Sequence, residues 1–201
     1  GLPMPPSILI EEDTGQSASD GITANARLNI TNLDDGNTWQ YTTNEGVTWV
    51  AGDLGELSFV LADQSSNVQV RQIDPEGNIS SPSEPILVTI DTLAPQITAL
   101  NIAEIVNATM ANDVMFSGST LGVEDGQEVT VIAAGLIQTA VVTNASFTGT
   151  LNLSSALDSD EMLVSATVTD IAGNLSESFT TAITLDTSAP RIASLVIPSV
   201  V

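Results

Sequence analysis

The chain contains no cysteine, no histidine and no lysine. Without cysteine there is no disulfide to staple a small fold. Zn²⁺ loses its preferred sulfur and imidazole ligands. Nucleophile–base pairs built on Cys, His or Lys are excluded as well, which leaves an enzyme only paired carboxylates. Positive charge is nearly absent: three arginines, Arg27, Arg71 and Arg191, face 25 acidic residues. A basic patch able to grip nucleic-acid phosphates is therefore ruled out. Aromatic residues make up only 3% of the chain, so the core must come from Val, Ile, Leu and Ala. No apolar run is long enough to span a membrane, and the charged n-region of a signal peptide is missing. The chain reads as an internal segment whose targeting signals lie elsewhere, with no direct membrane insertion.

What is present is acid, β-branched residues and turns. The net charge is −22 over 201 residues. One reading is solubility in a salty medium. The other is that bound cations cancel part of the charge, and the clustering of the acids favours it.

An internal repeat organises the sequence. Ile73-Asp74-Pro75-Glu76-Gly77-Asn78-Ile79-Ser80 matches Thr169-Asp170-Ile171-Ala172-Gly173-Asn174-Leu175-Ser176, both D-x-x-G-N-apolar-S. Ile90-Asp91-Thr92-Leu93-Ala94-Pro95 matches Leu185-Asp186-Thr187-Ser188-Ala189-Pro190, both apolar-D-T-x-A-P. Leu33-Asp34-Asp35-Gly36-Asn37 matches Val123-Glu124-Asp125-Gly126-Gln127 less closely. After Pro190 the tail Arg191-Ile192-Ala193-Ser194-Leu195 follows the pattern of Gln96-Ile97-Thr98-Ala99-Leu100. The expected domains are residues 1–91 and residues 92–189, with 190–201 the start of a third copy or a tail.

Within each copy, short alternating runs lie between Gly, Asn, Asp and Pro turns. The first copy gives strands over 7–11, 26–31, 38–43, 58–61, 67–73 and 86–90. The second gives strands over 97–103, 113–117, 128–133, 139–143, 146–152, 163–169 and 179–185. One helical turn is allowed in 154–161. About seven strands per copy predicts an all-β chain: two tandem immunoglobulin-like Greek-key β-sandwiches joined by a short linker.

That topology brings the loop after the second strand and the loop before the last strand to the pole where the preceding linker arrives. At the junction of the copies this gathers Asp91, Glu124, Asp125, Asp170 and Asn174. The first copy has Asp34, Asp35, Asp74 and Asn78 in the equivalent loops, and Asp186 belongs to the second linker. Asp13 and Asp20 lie on the loop after the first strand, toward the opposite pole. Crowded carboxylates and amide oxygens with no Lys nearby suit Ca²⁺, which takes six to eight oxygen ligands. The D-x-x-G-N loop is equally the sequence of a tight turn whose Asp caps backbone amides. For Asp13 and Asp20, solvated charge is the competing reading. Trp39, Tyr41 and Trp49 flank a hairpin at Asn44-Glu45-Gly46 and are expected to pack there rather than form a sugar platform.

Taken together, these motifs resemble the bacterial immunoglobulin-like repeats of giant type I-secreted surface adhesins of the repeats-in-toxin class. The likeness rests on Asp13-Thr14-Gly15 with Asp20-Gly21-Ile22-Thr23, on the run from Trp39 to Trp49, on Val68-Gln69-Val70-Arg71, and on Gly118–Gln127 of the second copy. Two departures stand out: Asn44-Glu45-Gly46 where such repeats carry Asp-Gly-Gly, and Pro75-Glu76 inside the Asp74 loop. The resemblance implies a Ca²⁺-stiffened extender at the bacterial cell surface, monomeric and extracellular. Its partners would be the neighbouring repeats of its own chain, with a glycan or host-protein ligand as the alternative role.

Overall fold

The structure is a computed structural model and describes residues 1–197. It is all-β. Sixteen strands run in order: β1 (Ser7–Ile10), β2 (Ile22–Thr23), β3 (Arg27–Thr31), β4 (Thr38–Thr42), β5 (Val50–Ala51), β6 (Ser58–Val60), β7 (Gln64–Ile73) and β8 (Ile86–Ile90) in the first copy. The second copy has β9 (Gln96–Ile102), β10 (Ile105–Asn107), β11 (Val114–Leu121), β12 (Glu128–Ala133), β13 (Leu136–Val141), β14 (Ser146–Leu151), β15 (Ser159–Val168) and β16 (Phe179–Asp186).

Each copy sets a three-stranded sheet against a five-stranded one. The first pairs β1-β3-β6 with β2-β8-β7-β4-β5; the second pairs β9-β11-β14 with β10-β16-β15-β12-β13. Strand for strand the two topologies coincide, as the sequence repeat requires. In both, the opening segment starts antiparallel in the small sheet and then joins the large sheet in parallel: β2 with β8, β10 with β16.

Period-two alternation fills the cores. On β7, Val68 and Val70 are fully buried between half-exposed neighbours; on β15, Val164, Ala166 and Val168 repeat the pattern. Ile8, Leu28, Ile30, Trp39, Leu61, Val88 and Ile90 complete the first core. In the second, two aromatics meet two glycines. Phe116 lies opposite Gly149, and Phe147 opposite Gly118, across β11 and β14. A Cβ on either glycine would run into the facing ring. The ring thus covers the bare backbone of the glycine.

Backbone proximity divides the described chain into two compact units. One comprises Gly1–Pro95 with the loops Gly122–Gln127 and Thr169–Ser176. The other comprises Gln96–Leu121, Glu128–Val168 and the chain from Glu177 onward.

The strand list departs from the expected one in places. The two- and three-residue strands β2, β5 and β10 were not anticipated. The 154–161 segment holds a single turn, as allowed, closed by Ala156 N to Leu153 O (2.9 Å). Residues 191–195 form no strand, since none of the described residues pairs with them. The rest of the expected third copy, 198–201, lies outside the described residues.

Candidate functional site

The two D-x-x-G-N loops have one geometry. In the first, Asp74 Oδ1 accepts from Asn78 N (2.7 Å) and Oδ2 from Asn78 Nδ2 (2.7 Å). In the second, Asp170 accepts the same two bonds from Asn174 at 2.8 and 3.0 Å. The main chain closes each loop again, through Asp74 N to Asn78 O (3.0 Å) and Asp170 N to Asn174 O (3.1 Å). Gly77 and Gly173 take φ of 88° and 97°, a region that suits glycine. This is the capped-turn reading of the motif. The Asn78 side chain, aided by backbone amides, holds the exposed Asp74 carboxyl below its ordinary pKa. Asp170 differs in being buried, at 1% exposure.

Around Asp170 the first compact unit gathers part of the expected junction set. Asn174 Nδ2 donates to Asp91 O (2.9 Å) as well as to Asp170. Glu124 Oε2 accepts from Ile171 N (3.0 Å). The Asp91 carboxylate turns back on its own chain and accepts from Leu93 N (3.0 Å). Asp125 shares the Gly122–Gln127 loop with Glu124. The gathering runs through an amide and main-chain groups. Among the described residues no three acidic side chains stand close enough together to hold a metal.

In the first copy the loop carrying Asp34 and Asp35 is organised by a neutral residue. Gln72, fully buried, accepts at Oε1 from Asp34 N (3.0 Å) and Asn37 Nδ2 (2.8 Å). Its Nε2 donates to Met4 O (2.5 Å) and Asp34 Oδ2 (3.3 Å). Asp35 is exposed. Sequence reasoning missed Gln72, although the inward positions of β7 (Val68, Val70, Gln72) mark it as a buried polar group needing partners.

The loop of Asp13 and Asp20 behaves differently. Asp13 Oδ2 accepts from Gly21 N (3.0 Å), and Asp20 Oδ1 from Ile22 N (3.0 Å). Asp13 Oδ1 is buried with no hydrogen-bond partner among the described residues. Asp13 and Asp20 are both among the residues lining one hollow of about 360 Å³ beside β1. Next to it, Thr14 Oγ1 donates to Ala172 O (2.5 Å), and Gln16 N donates to Ile171 O (3.3 Å). Gly15, at φ 93°, sits where any Cβ would strike the Ile171 carbonyl. The D-T-G motif is thus packed on the D-x-x-G-N loop within one compact unit.

The D-T-x-A-P motifs also have local partners. Asp186 Oδ1 accepts from Ser188 N (3.0 Å), as Asp91 does from Leu93 N. Their threonines are held by carboxylates that the sequence did not single out. Asp63 takes Thr92 Oγ1 at 2.9 Å to each oxygen. Asp158 takes Thr187 N (2.8 Å), Thr187 Oγ1 (2.7 Å) and Ser188 Oγ (2.6 Å). The Ser188 and Thr187 hydroxyls hold the Asp158 carboxyl down at about 2.

The residues fit a hard cation unequally. Asp170 has both oxygens engaged by Asn174, so a cation there would compete with bonds already made. Asp13 offers a desolvated oxygen that no protein donor satisfies, and such an atom is costly to leave alone. Its donor chemistry, a carboxylate oxygen, is one that Ca²⁺ accepts.

Trp39 and Trp49 of the hairpin pack as expected, whereas Tyr41 stays half-exposed. Trp39 is 4% exposed and donates Nε1 to Glu56 O (2.8 Å). The Arg71 guanidinium covers Trp49, its Cζ 4.1 Å from the ring centroid.

No protein-family description matches the chain, and no curated protein matches it. Solved structures do. A structure concerning host cell surface retention of a 1.5-MDa bacterial ice-binding adhesin is 21% identical, with a TM-score of 0.42, over 92% of this chain and 66% of that one. A tetra-tandem repeat from the extending region of a large adhesion protein is 22% identical, TM-score 0.41, over 89% of this chain and 48% of that one. A Ca²⁺-stabilised adhesin with which an Antarctic bacterium binds ice is 22% identical, TM-score 0.43, over 92% of this chain and 49% of that one. The likeness to these three structures is one of fold, and the chain spans about half to two thirds of their length.

Proposed function

We propose that this chain is an extender segment of a bacterial cell-surface adhesin, and that Ca²⁺ stiffens it. The observation that carries the extender reading is duplication. Two sandwiches of one topology each end in the same D-T-x-A-P linker, gripped each time by an acid of its own domain, Asp63 or Asp158. Such units stack by repetition and need no cleft or reacting pair. The chain is then extracellular, and its partners are the neighbouring repeats.

The Ca²⁺ reading is supported by the −22 net charge and by the unsatisfied oxygen of Asp13. A cation at Asp13 and Asp20 would satisfy that oxygen and anchor the loop that continues into Thr14 and Gly15.

Small-angle scattering of the intact chain in millimolar Ca²⁺ and in chelator tests the stiffening. A narrower distribution of maximum dimensions in Ca²⁺ is expected. Superimposable profiles would remove Ca²⁺ from the proposal and leave the extender.

A further inference from the structure

The first sandwich is open along one side. Its two sheets end there in short edge strands, β5 and β6, and between them lies a cleft of about 640 Å³. That is within the usual range for small-molecule sites. Its floor is aromatic. Tyr41 and Phe59 stack at 4.3 Å between centroids, tilted by 23°, and Trp39 stands 5.5 Å from Phe59. These are three of the chain's seven aromatic residues, gathered in one place in a protein that has few. The Trp39 indole is fixed by its bond to Glu56 O, and Gly52 leaves room for it, since a Cβ there would run into the ring. Tyr41 and Phe59 remain half-exposed.

The rim is polar and mixed in sign. Arg27, Asp53, Glu56 and Ser58 line it. Arg27 Nη1 donates to Ser58 Oγ (2.7 Å), and its Nε lies a loose 3.9 Å from Glu11 Oε2. Asp53 and Glu56 are exposed, and no hydrogen bond to either carboxylate is made among the described residues. The Tyr41 hydroxyl likewise has no protein partner there. The cleft therefore offers the half-exposed Tyr41 and Phe59 rings, two free acceptor groups, a guanidinium and a phenol.

We infer that this cleft binds a neutral saccharide. A pyranose ring presents a C–H face that lies on an aromatic ring and hydroxyls that donate to carboxylates and accept from Arg and Tyr. Each class of group in the cleft meets its complement. An anionic ligand would face two carboxylates in a chain of net charge −22, against one arginine. An extended peptide would need a sheet edge to pair with, yet β5 is two residues long and β6 three, too short for strand addition. The site is independent of the Ca²⁺ reading and would give the extender an attachment function of its own.

The experiment is a glycan array of neutral and acidic oligosaccharides probed with the full chain in Ca²⁺. Calorimetric titration with the strongest neutral tetrasaccharide follows. Three variants accompany the wild type: Asp53→Asn with Glu56→Gln, Tyr41→Phe, and Glu161→Gln as an exposed control outside the cleft. Losing hydrogen bonds to charged groups should weaken binding about tenfold or more in the carboxylate double variant. Tyr41→Phe should weaken it less, the control should bind as wild type, and all should melt together. Absence of neutral-glycan binding would overturn the inference. So would binding undiminished in the double variant, or a preference for acidic glycans.

Discussion

Asp158 shows what one carboxylate contributes to the repeat. It accepts three bonds from Thr187 and Ser188, and they hold its pKa at about 2 in the folded chain against an ordinary 3.8. Folding therefore favours the ionised form. The contribution is complete above about pH 4 and fades as pH falls toward about 2. Asp158→Ala should lower the denaturant midpoint at pH 7, and the gap to wild type should close near pH 2. A gap of constant size across that range would mean the residue acts through packing rather than charge. At this scale the sequence was half legible. Asp74, Asp91, Asp170 and Asp186 announced themselves by recurring at equal spacing, but recurrence does not separate a ligand from a cap. Asp63 and Asp158 do recur, yet no turn signature marks them, because their partners lie in the linker about 29 residues on. Gln72 was hidden because a buried amide reads as a surface residue until its strand phase is known.

At the scale of elements, strands with clean apolar alternation were legible to within a residue or two: β3, β4, β8 and β12 all fall where expected. The misses share a cause. The polar start of β7, Gln64–Asn67, carries no alternation, although Ser66 points inward at 6% exposure. The end of β11, Ser117–Leu121, looks like a turn because of Gly118, until Phe147 is placed over it. The β12–β13 hairpin turns at Ala134-Gly135, both at positive φ (49° and 77°), where the alanine conceals the usual Asn-Gly signal. Phe147 is thus the side chain that lets a glycine-bearing segment act as a central strand. Phe147→Ala should cost about 3–5 kcal/mol of stability in equilibrium unfolding, the range for deleting a buried aromatic. The small sheet should loosen first, seen as faster amide exchange at Ser117–Ser119 than in β12. Equal acceleration in both sheets would mean that the ring supports the core generally and not the glycine.

For the whole molecule the question is what offsets a net charge of −22. Among the described residues the one ion pair is Arg27 with Glu11, at 3.9 Å and largely exposed, which contributes little. Hydrogen bonds to backbone amides and hydroxyls satisfy many carboxylates one at a time, yet they leave the summed repulsion in place. Two kinds of relief are physically distinct. Screening depends on ionic strength alone and saturates as the Debye length shrinks to a few ångströms. Site binding depends on the identity of the cation and follows mass action. Melting the chain in KCl and in CaCl₂ at equal ionic strength separates them. If Asp13 and Asp20 form a site, Ca²⁺ should raise the melting temperature beyond KCl, and the excess should grow with the logarithm of Ca²⁺ concentration. Asp13→Asn keeps the Oδ acceptor for Gly21 N but removes the charge, so it should abolish much of the excess while leaving the KCl response intact. Asp170→Asn is a poorer probe, because its buried bonds to Asn174 would be disturbed with or without a metal. Coincident melting curves in the two salts would reduce the acidity of this chain to solubility and leave the buried oxygen of Asp13 without a cation to explain it.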